Sequence, residues 1–253
     1  MLGELYKPKG MARETAQAVL EVEEPHACNV AWGCSNGCLY CYGPKVGKES
    51  REKWLQVRYP KISPYCSVER QLLKGLKPQG VFLSFMTDPF LPETSTAALI
   101  GMLRDKGIRV ATLSKLDVSR FHNIRHGITV VSLDHYFHLR YEPNTLPSYT
   151  RLKFLKAAKD RGDFVWISME PYPPSSIHKQ NLLQLLEEIK FVDLIVFGKW
   201  NYDARAKTEQ ARQEYAGNLV VVKDFCRSNN IRLHIKSDTI KFVLSPFSSN
   251  EKS

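Results

Sequence analysis

Apolar residues fall along this chain in two alternating textures. Short, nearly continuous runs of β-branched and aliphatic residues recur at positions 81–85, 108–113, 128–133, 164–168 and 194–197, with a shorter one at 29–32. Runs that are apolar on both faces are what parallel strands covered by helices require. Between them, residues 67–76, 94–106, 149–161 and 179–190 repeat apolar side chains at three- and four-residue spacing, as Leu152, Leu155 and Ala158 do. That period predicts amphipathic helices. Gly107 and Gly162 stand where a helix should stop before the next strand. Residues 208–229 predict a later long helix, and 231–235 a final strand.

Strand–helix alternation implies crossover connections and a parallel sheet. Six or so units are too few for a closed eight-fold barrel. The expectation is an α/β fold, a partial (βα)6 TIM-like barrel of parallel strands, with a doubly wound open sheet as the alternative. Either architecture gathers ligands at the C-terminal ends of its strands, so residues just past each strand carry functional weight. We expect a single domain over residues 1–244 and a flexible, Ser-rich tail over 245–253.

Composition narrows the class. At 253 residues, 43% apolar and 25% charged, the chain has the make-up of a water-soluble globular protein. No apolar run is long enough to span a bilayer, and residues 1–10 lack the apolar stretch of a secretory signal. A cytoplasmic protein without a membrane partner is expected. The formal charge of +10 raises the prospect of a polyanionic partner such as nucleic acid. No Lys/Arg block stands out, so the same charge also reads as a solubility coat.

The cysteines change the picture. Of six, three crowd into Cys34-Ser-Asn-Gly-Cys38-Leu-Tyr-Cys41. In a reducing compartment such spacing points to metal or redox chemistry rather than disulfides. Three thiolates this close can cap three irons of one cubane, leaving the fourth iron open to a small molecule. Gly33, Gly37 and Gly43 let the loop wrap a cluster without Cβ clashes. A structural zinc site is the alternative, and it needs a fourth ligand, with His26 and Cys28 close enough in sequence to serve. An electron-transfer ferredoxin would need a fourth cysteine for its cluster. Cys28, Cys66 and Cys226 read as buried small hydrophobes.

The spacing Cys-x3-Cys-x-aromatic-Cys, with Tyr40 in the aromatic place, resembles the signature of the radical S-adenosylmethionine superfamily. Further segments resemble its spore photoproduct lyase-related branch. They are the cluster loop with Tyr42 after the last cysteine, the stretch from Ser84 through Thr87-Asp88-Pro89 to Glu93, Leu113-Ser114-Lys115, Val131-Ser132-Leu133, and Tyr141-Glu142-Pro143 followed by Arg151-Leu152. The match runs in patches over residues 29–174. It implies a 4Fe–4S cluster on Cys34, Cys38 and Cys41, with S-adenosylmethionine chelated to the unique iron. It also implies an electron donor such as flavodoxin or ferredoxin, and hydrogen abstraction from a substrate by a 5′-deoxyadenosyl radical. In the DNA-repair members, a cysteine near the second strand exit returns a hydrogen atom to the product. Residues 81–93 hold none, which argues against thymine-dimer repair.

Other candidates follow from position. Thr87 and Asp88 offer a hydroxyl and a carboxylate for a ribose or an amino group, or else form a turn at Asp-Pro. Lys115 suits the methionine carboxylate, a role that the resemblance supports over that of a surface lysine. Ser132 sits in an apolar run, where its hydroxyl needs a partner, either backbone or cofactor. Tyr40 would meet the adenine through its backbone. Glu170, Lys199 and Trp200 follow the fifth and sixth of these strands and are candidates for the substrate. Trp200 would stack a planar group or pack the rim. No catalytic side chain is singled out. Nucleic acid is the favoured substrate class, a protein or peptide the nearest alternative. Outside enzymes, the rival is a nucleic-acid-binding protein with a structural metal site.

Overall fold

Eight strands hydrogen-bond into one sheet in chain order, from β1 (Leu5–Tyr6) and β2 (His26–Cys28) through β3 (Gly80–Leu83), β4 (Arg109–Ser114), β5 (Arg125–Thr129), β6 (Val165–Tyr172) and β7 (Leu194–Lys199) to β8 (Arg232–Ile235). All neighbours from β2 to β8 are parallel, and only β1 runs antiparallel, against β2. The computed structural model describes residues 2–245. Apart from Ser245, the expected tail lies outside the described residues. No helix among them is long and apolar enough to cross a membrane.

The helices fill the connections. They are α1 (Gly10–Leu20), α2 (Gly43–Gly47), α3 (Arg51–Trp54), α4 (Pro64–Leu73), α5 (Glu93–Asp105), α6 (His135–Tyr141), α7 (Ser148–Asp160), α8 (Leu182–Glu188), α9 (Glu209–Ser228) and α10 (Ser237–Leu244). On the outer face of the sheet, Val81, Leu83, Val110, Ile128, Ile167 and Ile195 pack against Leu99 and Leu103 of α5, Leu155 of α7, Leu186 of α8 and Val222 of α9. The alternate strand residues Phe82, Ala111, Trp166 and Val196 face the other way, onto Ala16, Val19 and Leu20 of α1. Burial on both faces is why the strands read as continuous apolar runs. Helices on one side of a sequentially ordered parallel sheet give the partial barrel expected, with β8 as a seventh parallel strand.

The helix α1 lies inside this curve, and the sequence did not announce it. Its buried residues Thr15, Ala16, Val19 and Leu20 include two small or polar ones, so its stripe is faint. Charged side chains fix its direction. Arg109 donates to Leu20 O at 2.8 Å and Arg125 to Val19 O at 2.7 Å, satisfying carbonyls that a helix C-terminus leaves open. At the other end Lys236, just past β8, donates to Met11 O at 2.8 Å and Thr15 Oγ1 at 2.5 Å. The N-terminal turns of α1 therefore stand at the C-terminal ends of the strands. Inside the barrel, the Trp166 indole occupies the space that a side chain on Gly127 would need, a Cβ there coming within 2.2 Å of the ring.

Strand edges move by a few residues. The first strand ends at Cys28, so 29–32 is its exit rather than the strand itself. β5 starts earlier than the apolar run suggested, because His126 is buried on the outer face beside Asp163 at 3.4 Å. Cys66 is exposed, contrary to the buried place expected for it.

Candidate active site

The exits of β2 and β3 are stitched together before the cysteine loop begins. Ser84 Oγ donates to Cys28 O at 3.0 Å and accepts from Val30 N at 3.0 Å. Asn29 Oδ1 accepts from Phe85 N at 3.0 Å. Gly33 N then donates to Met86 O at 3.1 Å, Cys34 N to Trp54 O at 2.8 Å and Leu39 N to Tyr141 O at 2.9 Å. The loop is thus held by the β3 exit, α3 and α6 at once. Gly33 has φ 88°, and a Cβ on it would lie 2.7 Å from two carbonyl oxygens, those of Trp54 and Gln56. Only glycine fits there.

A cavity of about 620 Å³ opens at these strand ends, within the range of cofactor and substrate pockets. Cys34, Cys38 and Cys41 all line it, with Tyr40, Thr87, Asp88, Lys115 and Glu170. The structure therefore gathers eight of the eleven candidate residues into one space. Ser132, Lys199 and Trp200 do not line it. Ser132 Oγ lies 3.2 Å from His178 Nε2 and accepts from Asp134 N at 3.1 Å, so its hydroxyl ties the start of α6 to a neighbouring loop. Trp200 is buried, and its ring packs edge-on against Tyr40 and Tyr141 in a small cluster under the cysteine loop. This matches the rim-packing alternative given for Trp200, and its ring presents no face to the cavity. Lys199 turns to Asn201 and lies 3.8 Å from Asp238.

Asp88 is in the cavity wall, yet both its oxygens are occupied. Oδ1 accepts from Ser114 Oγ at 2.7 Å and Phe90 N at 3.1 Å, and Oδ2 from Lys115 N at 2.8 Å and Asn36 Nδ2 at 2.9 Å. The carboxylate joins the cysteine loop to the ends of β3 and β4, and has no free lone pair aimed at a ligand. Its neighbour is the opposite case. Thr87 is 8% exposed, and its Oγ1 finds no hydrogen-bond partner among the described residues. A buried hydroxyl left so in a cavity wall awaits a ligand atom or water.

Tyr40 is anchored through its hydroxyl rather than only its backbone. It donates to Glu142, which is also paired with Arg151, and both of these are fully buried. Arg151 further donates to Thr129 O at 2.5 Å and Ser148 Oγ at 2.9 Å. Burial works against ionised Glu142, but the Arg151 guanidinium outweighs it, with help from His138, Lys115 and Tyr40, and holds the carboxyl at about 2. Lys115 Nζ lies 5.5 Å from the Tyr40 ring centre, on the cavity side.

The donor set fits an iron–sulfur cluster held by three thiolates. Burial pushes the Cys34 thiol up to about 12 and Cys38 to about 11, so these sulfurs ionise only with a compensating metal centre. Gly43 N points at Cys41 Sγ from 3.3 Å. The zinc alternative fares worse. Cys28 is buried in the outer core, and neither it nor His26 lines the cavity. A structural zinc needs four ligands, and only three cysteines stand in this wall.

The sequence reading did not identify Lys9, Met11, Ala12 and Thr15 of the N-terminal segment, or Lys236 and Asp238 after β8, all of which line the same cavity. Lys236 could have been found, since it directly follows an expected strand.

No protein-family model matches the sequence, and no curated protein does. Solved structures do match. A spore photoproduct lyase variant with bound AdoMet and dinucleoside spore photoproduct superposes with a TM-score of 0.60 at 12% identity, over 83% of this chain and 76% of that one. Streptococcus suis SuiB bound to S-adenosylmethionine gives 0.63 at 13%, over 88% of this chain and only 53% of that one. The chain therefore shares the fold of spore photoproduct lyase and SuiB.

Proposed function

We propose that this protein is a radical S-adenosylmethionine enzyme whose cluster is held by Cys34, Cys38 and Cys41. The observation that carries this reading is that three thiols from one short loop share a strand-end cavity with no fourth cysteine in its wall. Cys34, Cys38 and Cys41 would hold a 4Fe–4S cluster, which when bound and reduced by the external donor would supply the electron for reductive cleavage of S-adenosylmethionine and so for hydrogen abstraction from the substrate.

The chain's own residues bind, orient and exclude water. Lys115 offers a point charge to the methionine carboxylate. The unpartnered Thr87 hydroxyl offers a hydrogen bond to the same ligand. Asp88 positions the loop from behind, through Asn36. The Glu142–Arg151 pair fixes the Tyr40 ring against Trp200, so the wall beneath the cysteines is buried and held by hydrogen bonds. Electrons come from an external donor such as flavodoxin or ferredoxin, and exposed Lys45, Lys48 and Lys53 beside the cysteine loop give an acidic donor a place to approach. An oxygen-sensitive cluster suits the cytoplasm.

The test is anaerobic reconstitution followed by reduction in the presence of S-adenosylmethionine. Wild type should contain iron and sulfide and release 5′-deoxyadenosine, and Cys38→Ala should release none. Zinc in place of iron, or reduced iron–sulfur protein that yields no 5′-deoxyadenosine, would overturn the reading.

A further inference from the structure

Part of the cavity wall is built by the N-terminal segment with α1 and by the ends of β6, β7 and β8. Two of its charged groups are already satisfied. Lys236, 2% exposed, donates to Met11 O and Thr15 Oγ1. Asp238 accepts from Asn201 Nδ2 at 3.3 Å and lies 3.8 Å from Lys199. Glu170 is different. Its side chain lies over Gly198, where a Cβ would come within 2.8 Å of its Cγ, so the missing side chain at 198 is what gives it room. It lines the cavity and keeps 28% of its side-chain surface open. Among the described residues it accepts no hydrogen bond, and its nearest cation, Lys236 Nζ, is 3.7 Å away on Oε2. Burial pushes its carboxyl above the ordinary range, with Asp238 and Glu14 adding to the rise and Lys236 pulling against it.

A carboxylate can only accept, and its two oxygens suit a ligand with two parallel N–H groups. Among nucleobases that is guanine, through N1–H and the exocyclic amine. Among amino acids it is the arginine guanidinium. The surroundings favour the base. Tyr6, Tyr42, Phe85 and Tyr202 give the same cavity aromatic walls. Lys9 and Lys45 are exposed at its rim, the Lys45 ammonium lying 4.3 Å from the Tyr202 ring centre. These cations and the net charge of +10 would repel a cationic peptide and attract a phosphate.

We propose that Glu170 is a substrate-binding residue that reads the paired N–H edge of a guanine nucleotide, free or within a nucleic-acid strand. The inference rests on the cavity being the place of radical chemistry, but its test does not need turnover. Anaerobically reconstituted protein, with S-adenosylmethionine present and no reductant, is titrated by calorimetry with GMP, IMP and the other nucleoside monophosphates, and with an arginine-containing peptide amide. IMP lacks the exocyclic amine, so wild type should bind GMP about tenfold or more tightly than IMP. Glu170→Gln, which places an amide N–H against a donor, should remove most of that preference. The comparison within wild type stands even if the variant fails to fold. Equal affinity for GMP and IMP, no GMP binding at millimolar concentration, or tighter binding of the arginine peptide each overturns the proposal. Formation of 5′-deoxyadenosine is measured separately, so a failure here is distinct from a failure of the radical reading.

Discussion

Asp88 and Asn36, fifty-two positions apart, are joined by a 2.9 Å hydrogen bond that holds the cysteine loop to the sheet. The same carboxylate accepts from Ser114, Phe90 and Lys115, so it is the hub on which three segments of the site converge. Asp88→Asn puts an amide NH2 against donors that now face a carboxylate oxygen. We expect a loss of about 1–3 kcal/mol, seen as a fall in Tm of roughly 2–4 °C for each kcal/mol. Iron retained per chain after reconstitution should fall with it. Unchanged iron content and Tm would mean that the carboxylate is not the anchor.

The buried Glu142–Arg151 pair gives a pH signature. The Glu142 carboxyl is held at about 2 in the folded chain against 4.5 normally. A depressed carboxylate stabilises the fold above its unfolded value and loses that contribution as pH falls towards the folded one. About 3 kcal/mol should therefore disappear between about pH 4.5 and pH 2. Glu142→Gln removes this dependence and strands Arg151 as an unpaired buried charge, at a cost of about 3–5 kcal/mol at neutral pH. Urea unfolding of both proteins across that pH range checks the sign and the size. Parallel curves for the two would contradict the assignment.

Two glycines should respond in opposite directions. Gly33→Ala brings a Cβ within 2.7 Å of two carbonyl oxygens at φ 88°, so the loop must shift and iron binding should fail. Gly217, exposed within α9, has open space where a Cβ would go. Gly217→Ala should stabilise the chain by about 0.4–1 kcal/mol through helix propensity and a restricted unfolded state. Thermal melts and iron analysis on both variants check this. An iron-loaded Gly33→Ala protein, or a destabilised Gly217→Ala one, would contradict it.

What the sequence could reveal depended on how each residue's surroundings are made. β3, β4, β6 and β7 were visible because their covered faces demand uninterrupted apolar runs, and the three cysteines because their spacing is local. The helix α1 escaped because its place inside the barrel calls for small residues such as Ala12 and Ala16, which leave a faint stripe. Ser132 and Trp200 sit at strand exits, as the expectation required, but position past a strand does not say which way a side chain turns. Ser132 turned to His178 and Trp200 into packing. Asp88 forms the local turn foreseen for it, through Phe90 N, but its bonds to Asn36, Ser114 and Lys115 come from segments distant in sequence and left no local sign. Glu142 and Arg151 stood in matching segments, yet nothing local showed that they pair.

The claim beneath all of this is that one iron lacks a protein thiolate. Mössbauer spectroscopy of 57Fe-reconstituted protein, recorded without oxygen before and after adding S-adenosylmethionine, addresses it directly. We expect a 4Fe–4S spectrum in which the ligand shifts the isomer shift of one iron in four and leaves the other three unchanged. A cluster whose four irons stay equivalent, or a centre that takes up no iron, would contradict the account.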